Sequence, residues 1–78
     1  MNQNKIILID NRSLLVINDL KGLIRLRTPF KVICIEPVGK ILKDDVHSVY
    51  LLCASAEYRL LYQITGQFYP YKYFMVLT

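Results

Sequence analysis

YRLLYQITGQFYPYKYFMVL, residues 58–77, is the stretch whose reading decides the fold. Two runs rich in tyrosine, leucine, isoleucine and phenylalanine flank Thr65-Gly66, and a glycine there supplies the positive φ that a tight hairpin turn demands. A two-residue loop sets the register by counting outward from it. Ile64 then faces Gln67, Gln63 faces Phe68, Tyr62 faces Tyr69, Leu60 faces Tyr71 and Tyr58 faces Tyr73. One face gathers Tyr58, Tyr62, Tyr69, Tyr71 and Tyr73 around Leu60, where opposed aromatic pairs contribute roughly 0.2–1 kcal/mol each. The other face, with Arg59, Leu61, Gln63, Phe68, Pro70, Lys72 and Phe74, is the more polar. A bulge at Gly66 would shift one strand by a residue and undo this sorting. Pro70 has no amide hydrogen to give a ladder, so the second strand is an edge or is bent there.

Upstream, the chain reads as a succession of short strands. KIILID (residues 5–10) ends in the turn-prone Asp10-Asn11-Arg12, and SLLVIN (residues 13–18) follows, which predicts a hairpin. A helix capped by Ser13 and ended by Gly22 is the competing reading. Against it stand the β-branched Val16 and Ile17 and the contiguous apolar residues at 14–17. Residues 18–22 read as a second turn, and from Leu23 the pattern alternates. Ile24, Leu26 and Thr28 lie to one side, and Leu23, Arg25 and Arg27 form a basic outer face.

Pro29 interrupts this run, and FKVICIE (residues 30–36) resumes it as a second strand or as one long bent strand. Residues 36–40 hold a proline and a glycine and read as a loop, which Asp44-Asp45 extends to a turn or rim. VHSVYLLC (residues 46–53) is a further strand, linked by residues 54–57 to the tyrosine hairpin. Five to seven short strands without a well-supported helix predict an all-β fold, a small, strongly bent barrel or a compact two-sheet sandwich. Residues 1–78 are expected to form one domain, with 21–78 as the barrel and 1–20 either part of it or an appended N-terminal hairpin.

The segment Gly66-Gln67-Phe68-Tyr69-Pro70-Tyr71-Lys72-Tyr73-Phe74-Met75-Val76 resembles the closing segment of Src-homology-three-like barrels, where a glycine precedes a proline and an aromatic-hydrophobic pair leads into the last strand. Lys21-Gly22-Leu23-Ile24-Arg25-Leu26 is similar to the opening strand of bacterial members, with residues 36–45 in place of the family's large hairpin loop. The resemblance covers about the last three-quarters of the chain, which has no tryptophan. It implies a fold and, by analogy, a groove for proline-rich ligands with Tyr71 and Tyr73 nearest.

Seventy-eight residues hold one modest core, and 54% of them are apolar against 21% charged. A chain this short buries only about 60% of its unfolded surface, so a homodimer sharing a tyrosine or leucine face is expected, with a monomer that leaves some aromatics exposed as the alternative. The longest apolar run, residues 49–54, falls far short of the roughly 18 residues a membrane-spanning helix needs. The leading residues do not read as a signal peptide. Cys34 and Cys53 sit in apolar runs without metal spacing and read as buried, reduced thiols of a cytoplasmic protein. A net charge of +4 hints at anionic partners.

His47, the single histidine, points away from Ser48 on an alternating strand, which predicts no catalytic pair. Asp44 and Asp45 lack the spaced ligands of a calcium loop, so no metal and no cofactor is expected. Arg25, Arg27 and Lys31, with Lys21 nearby, form the best basic cluster, and Arg59 with Lys72 makes a second. The sequence therefore reads as a non-catalytic binding module working by protein–protein contact through Tyr58, Tyr62, Tyr69, Tyr71 and Tyr73. Nucleic-acid binding through Arg25, Arg27 and Lys31 is the alternative. Neither reading involves a membrane or a small-molecule substrate.

Overall fold

In the computed structural model the alternating run from Leu23 becomes one edge of a three-stranded antiparallel sheet. Its order is β1 (Lys5–Asp10), β2 (Ser13–Asn18), β3 (Gly22–Arg27). The structure describes residues 5–20 and 22–78, so the Lys21 flank of the basic cluster lies outside the described residues. The expected hairpin forms over β1 and β2, and the competing helix does not. At its turn the Arg12 amide donates to Asp10 Oδ1 at 2.8 Å; at the next, the Leu20 amide donates to Asn18 Oδ1 at 2.7 Å. Both are Asp/Asn side chains closing their own turns, the usual reason those residues sit there. β3 sorts as read: Ile24 and Leu26 are half-buried against the core, while Leu23, Arg25 and Arg27 are exposed.

Pro29 separates β3 from β4 (Phe30–Cys34), which belongs to a different sheet, so the chain from Leu23 onward is two strands and not one bent one. The second sheet runs β5 (Val46–Val49), β4, β9 (Phe74–Val76), and the third runs β6 (Leu51–Ser55), β7 (Arg59–Ile64), β8 (Gln67–Pro70). The run at 46–53 divides at Tyr50 and serves both sheets, with the Tyr50 amide donating to the Gln63 carbonyl at 3.0 Å. The C-terminal run divides likewise. β8 pairs with β7, a single 3-10 turn follows at Tyr71–Tyr73, and β9 pairs with β4. The fold is all-β as expected, but among the described residues it has three small sheets and no closed barrel.

The register counted from Thr65-Gly66 holds through Ile64–Gln67, Gln63–Phe68, Tyr62–Tyr69 and on to Leu61–Pro70. Thr65 and Gly66 take φ +49° and +81°, the left-handed pair of a type I′ turn, with no bulge. Beyond Pro70 the count fails, and the expected pairs Leu60–Tyr71 and Tyr58–Tyr73 do not form. Pro70 cannot donate, and the 3-10 turn lifts residues 71–73 off the ladder. That turn also resets the alternation, so Phe74, placed by the count on the polar face, is buried.

The core is drawn from all three sheets: Leu14 and Val16; Phe30, Val32, Cys34, Val49, Phe74 and Val76; Leu52, Leu60, Tyr62 and Ile64. Burying each aliphatic or aromatic side chain contributes roughly 1.5–3 kcal/mol. The Leu52 amide, donating to the Asn11 carbonyl at 2.8 Å, ties the third sheet to the first, while the Thr28 amide, donating to the Arg12 carbonyl at 2.8 Å, extends the β2–β3 ladder by one step.

Thr65 is β-branched yet holds a left-handed φ, a conformation that costs such a residue on the order of 1 kcal/mol. Thr65→Asn, which restores the preferred Asn-Gly pair, is expected to raise stability by about 0.5–1 kcal/mol in urea titration, with the slope unchanged.

Candidate functional site

The five tyrosines expected on one face are distributed over three environments. Tyr62 is wholly buried, its ring edge-on to Phe30 at 5.8 Å and to Tyr71 at 6.5 Å and tilted against Phe74 at 6.1 Å. A ring with no accessible surface offers nothing to a partner, so Tyr62 is the centre of the core. Tyr69, Tyr71 and Tyr73 are half-buried against that core, Tyr69 lying 6.2 Å from Phe74. Tyr58 alone is exposed, in the turn after β6, where its amide donates to Ser55 Oγ at 3.1 Å. Lys72 Nζ lies 5.5 Å from the Tyr73 ring centre, so that ring is already engaged by a cation.

The basic residues divide as well. Arg25 and Arg27 stand on the outer face of β3, whereas Lys31 stands on the outer face of β4 in the second sheet. What the structure brings together is a different set. Cross-strand pairing in the first sheet aligns Lys5, Ile17 and Leu23 in one row and Ile7, Leu15 and Arg25 in the next, with Arg27 beyond. Ile7 is 45% exposed and Leu23 64%, while Leu15 and Ile17 between them are half-buried. The result is an aliphatic patch across three strands, framed by Lys5, Arg25 and Arg27, with no carboxylate in the first two rows and Asp10 at the far end of the row of Arg27.

The outer faces of the other sheets each hold one apolar row, Val46–Ile33–Met75 and Cys53–Leu61–Pro70, but the row beside it is polar: Lys31 and Ser48 flank the first, and Gln63 stands between Leu51 and Phe68 beside the second. The sequence signal for the first-sheet patch was present. Residues 6–9 and 14–17 are contiguous apolar runs, which load both faces of a sheet, where a sheet covered on one side needs only alternation.

An open groove of about 560 Å³ lies between the 36–45 loop and the β7–β8 turn, lined among others by Lys40, Asp45, His47, Gln67 and Tyr69. Gly39 shapes its rim: at φ +57°, an added Cβ would come 3.1 Å from Tyr69 Cε1. The Thr65 hydroxyl facing this groove donates to the Ile64 carbonyl at 2.7 Å, and the Asp45 carboxylate accepts from the Leu42 amide at 3.1 Å. Among the described residues no group of His, Cys, Asp or Glu is placed to hold a metal ion, and no helix is long and apolar enough to cross a membrane.

Cys34 is buried, with its thiol donating to the Glu36 carbonyl at 3.0 Å. Cys53, expected to be buried, is exposed instead, because β6 is covered on one face only and Cys53 alternates with the buried Leu52. No protein-family model, curated protein or solved structure matches this chain.

The Tyr62 hydroxyl is buried without a hydrogen-bond partner among the described residues. Burial first, and then the nearby Tyr71, push its pKa upward from the ordinary 10. Tyr62→Phe is expected to leave stability unchanged or raise it by about 1 kcal/mol, whereas Tyr62→Ala costs about 3–5 kcal/mol. The folded state keeps a proton that the unfolded chain releases, so this stability is complete below pH 10 and declines above it. The decline is about 1.4 kcal/mol per pH unit. Alkaline unfolding of Tyr62→Phe should lack that part of the slope. A thiol reagent added to the folded protein should modify Cys53 within minutes and Cys34 only on unfolding; equal rates would contradict the burial difference.

Proposed function

We propose that this chain is a non-catalytic binding module whose partner is another protein, engaged through the outer face of the first sheet. The observation that carries this reading is the patch of Ile7, Leu15, Ile17 and Leu23, continuous across three strands and framed by cations. Contiguous aliphatic surface is favourable to bury at roughly 25 cal/mol per Å², and a cationic frame selects among the surfaces that could cover it.

The Src-homology-three-like reading of β4–β9 draws support from the connectivity. One strand run, β5–β6, bends through two sheets, and the segment after Gly66 passes from Pro70 through a 3-10 turn into the last strand. The strand expected to open the barrel, β3, pairs instead with β2 in the first sheet, so on that reading the barrel-like part starts at β4 and β1–β3 is an addition. It borders the place where a ligand is implied: Tyr71 shares a hollow of about 300 Å³ with Ile6, Leu8, Arg59 and Leu60. The free thiols of Cys34 and Cys53 suit a reducing, cytoplasmic setting. Homodimerisation would cover the same patch. The adjacent exposed Arg25 and Arg27 support nucleic-acid binding as a second reading, without Lys31 on the same face.

Selection of a random phage-displayed peptide library on the immobilised chain tests the reading, with sedimentation of the free chain run alongside. Enriched peptides are expected to be retained by the wild type and lost about tenfold by Ile7→Lys, a surface change that should leave folding intact by circular dichroism. Enrichment indifferent to Ile7→Lys would remove this face from the site. No enrichment, together with salt-sensitive binding of a mixed single-stranded oligonucleotide, would transfer the function to the arginines.

A further inference from the structure

Sheet edges differ in how far they are protected, and the open one here is β3. Among the described residues it pairs with β2 alone. β5 has only four residues, β8 has four ending in Pro70, β9 has three, and β1 carries a break in register between Leu8 and Asp10. β6 is capped where the Leu52 amide reaches the Asn11 carbonyl. β3 runs six residues with neither proline nor bulge, which is the form of edge that accepts another strand.

The register shows which backbone groups face the opening. The Thr28 amide donates to the Arg12 carbonyl at 2.8 Å, one step beyond an unbroken ladder that ends at Ser13–Arg27. In an antiparallel ladder hydrogen-bonded pairs alternate, so Leu26 and Ile24 turn their backbone groups toward β2, as Thr28 does. Leu23, Arg25 and Arg27 turn theirs away. These are also the three residues whose side chains are exposed. An incoming strand would meet three amides, three carbonyls, two guanidinium groups and one aliphatic side chain along a single line.

We propose that β3 receives an extended segment of another protein as a fourth, antiparallel strand. The segment carries carboxylates opposite Arg27 and Arg25, an apolar residue opposite Leu23, and apolar residues between them beside the half-buried Leu26 and Ile24. The inference rests on the binding-module reading and names its partner class. A second copy fits this edge poorly. A twofold through Arg25 sets Arg25 against Arg25, and a shift toward the C-terminal end sets Arg25 against Arg27. The registers that avoid both keep a single contact among these residues, Leu23 with Arg25 or Leu23 with Leu23.

The probe is a capped peptide, Gly-Glu-Val-Glu-Val-Leu-Gly, titrated into the isotope-labelled full chain, with Gly-Lys-Val-Lys-Val-Leu-Gly as its counterpart. Binding of the glutamate peptide is expected to slow hydrogen exchange at the amides of Leu23, Arg25 and Arg27, with Ile24 and Leu26, already bonded to β2, unchanged. The lysine peptide should bind at least about tenfold more weakly to the wild type, and Arg25→Glu combined with Arg27→Glu should reverse the preference. Equal binding of both peptides, protection elsewhere, or no binding of the glutamate peptide at millimolar concentration overturns the inference. The library selection decides the binding-module reading separately, because it presupposes neither β3 nor acidic peptides.

Discussion

Three sheets share one small interior, and the constraint that follows shapes the whole chain. Each sheet has one face against the ring of Tyr62 and its neighbours, and 78 residues supply no second layer for the other face. The aromatic contacts of Tyr62 with Phe30, Tyr71 and Phe74 join residues of the second and third sheets and the 3-10 turn, so the point of closest packing is also the point of assembly. Its hydroxyl is covered without a partner, a cost set against burial of the rest of the ring. A phenol at this position fills the space left where two divided strand runs change sheets.

Division of the strand runs is the device that lets so short a chain make three sheets. At Tyr50 and again at residues 71–73 one run leaves the third sheet for the second, or the reverse, without a long connection. Proline supplies the break at Pro70 by withholding a donor, and Pro29 marks the change from the first sheet to the second in the same way. Tyr50 has no such marker. Its amide still bonds to Gln63, so the break at that position is one of direction and not of pairing.

These differences explain what could be read from residues alone. The Thr65-Gly66 turn is local, and a type I′ loop dictates its own register, so pairs near it followed from counting. Past Pro70 the same counting fails, since a 3-10 turn advances the chain without regard to strand period and carries Phe74 across to the core. The Leu23–Arg27 alternation was legible because one face is covered and the other is not. The tyrosines were legible as a cluster, but whether a tyrosine lies at the centre or the rim depends on which sheets converge on it, and that is not a local property. The patch on the first sheet needed both kinds of information. Contiguous apolar runs at 6–9 and 14–17 announce that both faces are loaded, while the rows that join Ile7 to Leu15 and Ile17 to Leu23 exist only once three strands are in register.

An apolar outer face and an unprotected edge on the same sheet are consistent with each other in energetic terms. Side chains on the face make a strand added at the edge worth more than its backbone bonds alone, because the new strand extends the aliphatic surface as well as the ladder. Leu23, Arg25 and Arg27 contribute to both, since the residues that turn their amides outward also carry the exposed side chains. Charge supplies the selectivity that backbone pairing lacks. Arginines on an edge strand repel a second copy of themselves, which protects the chain against joining edge to edge, and they leave the edge open to a segment of opposite sign. The same two residues thus guard the edge against self-association and define what it admits.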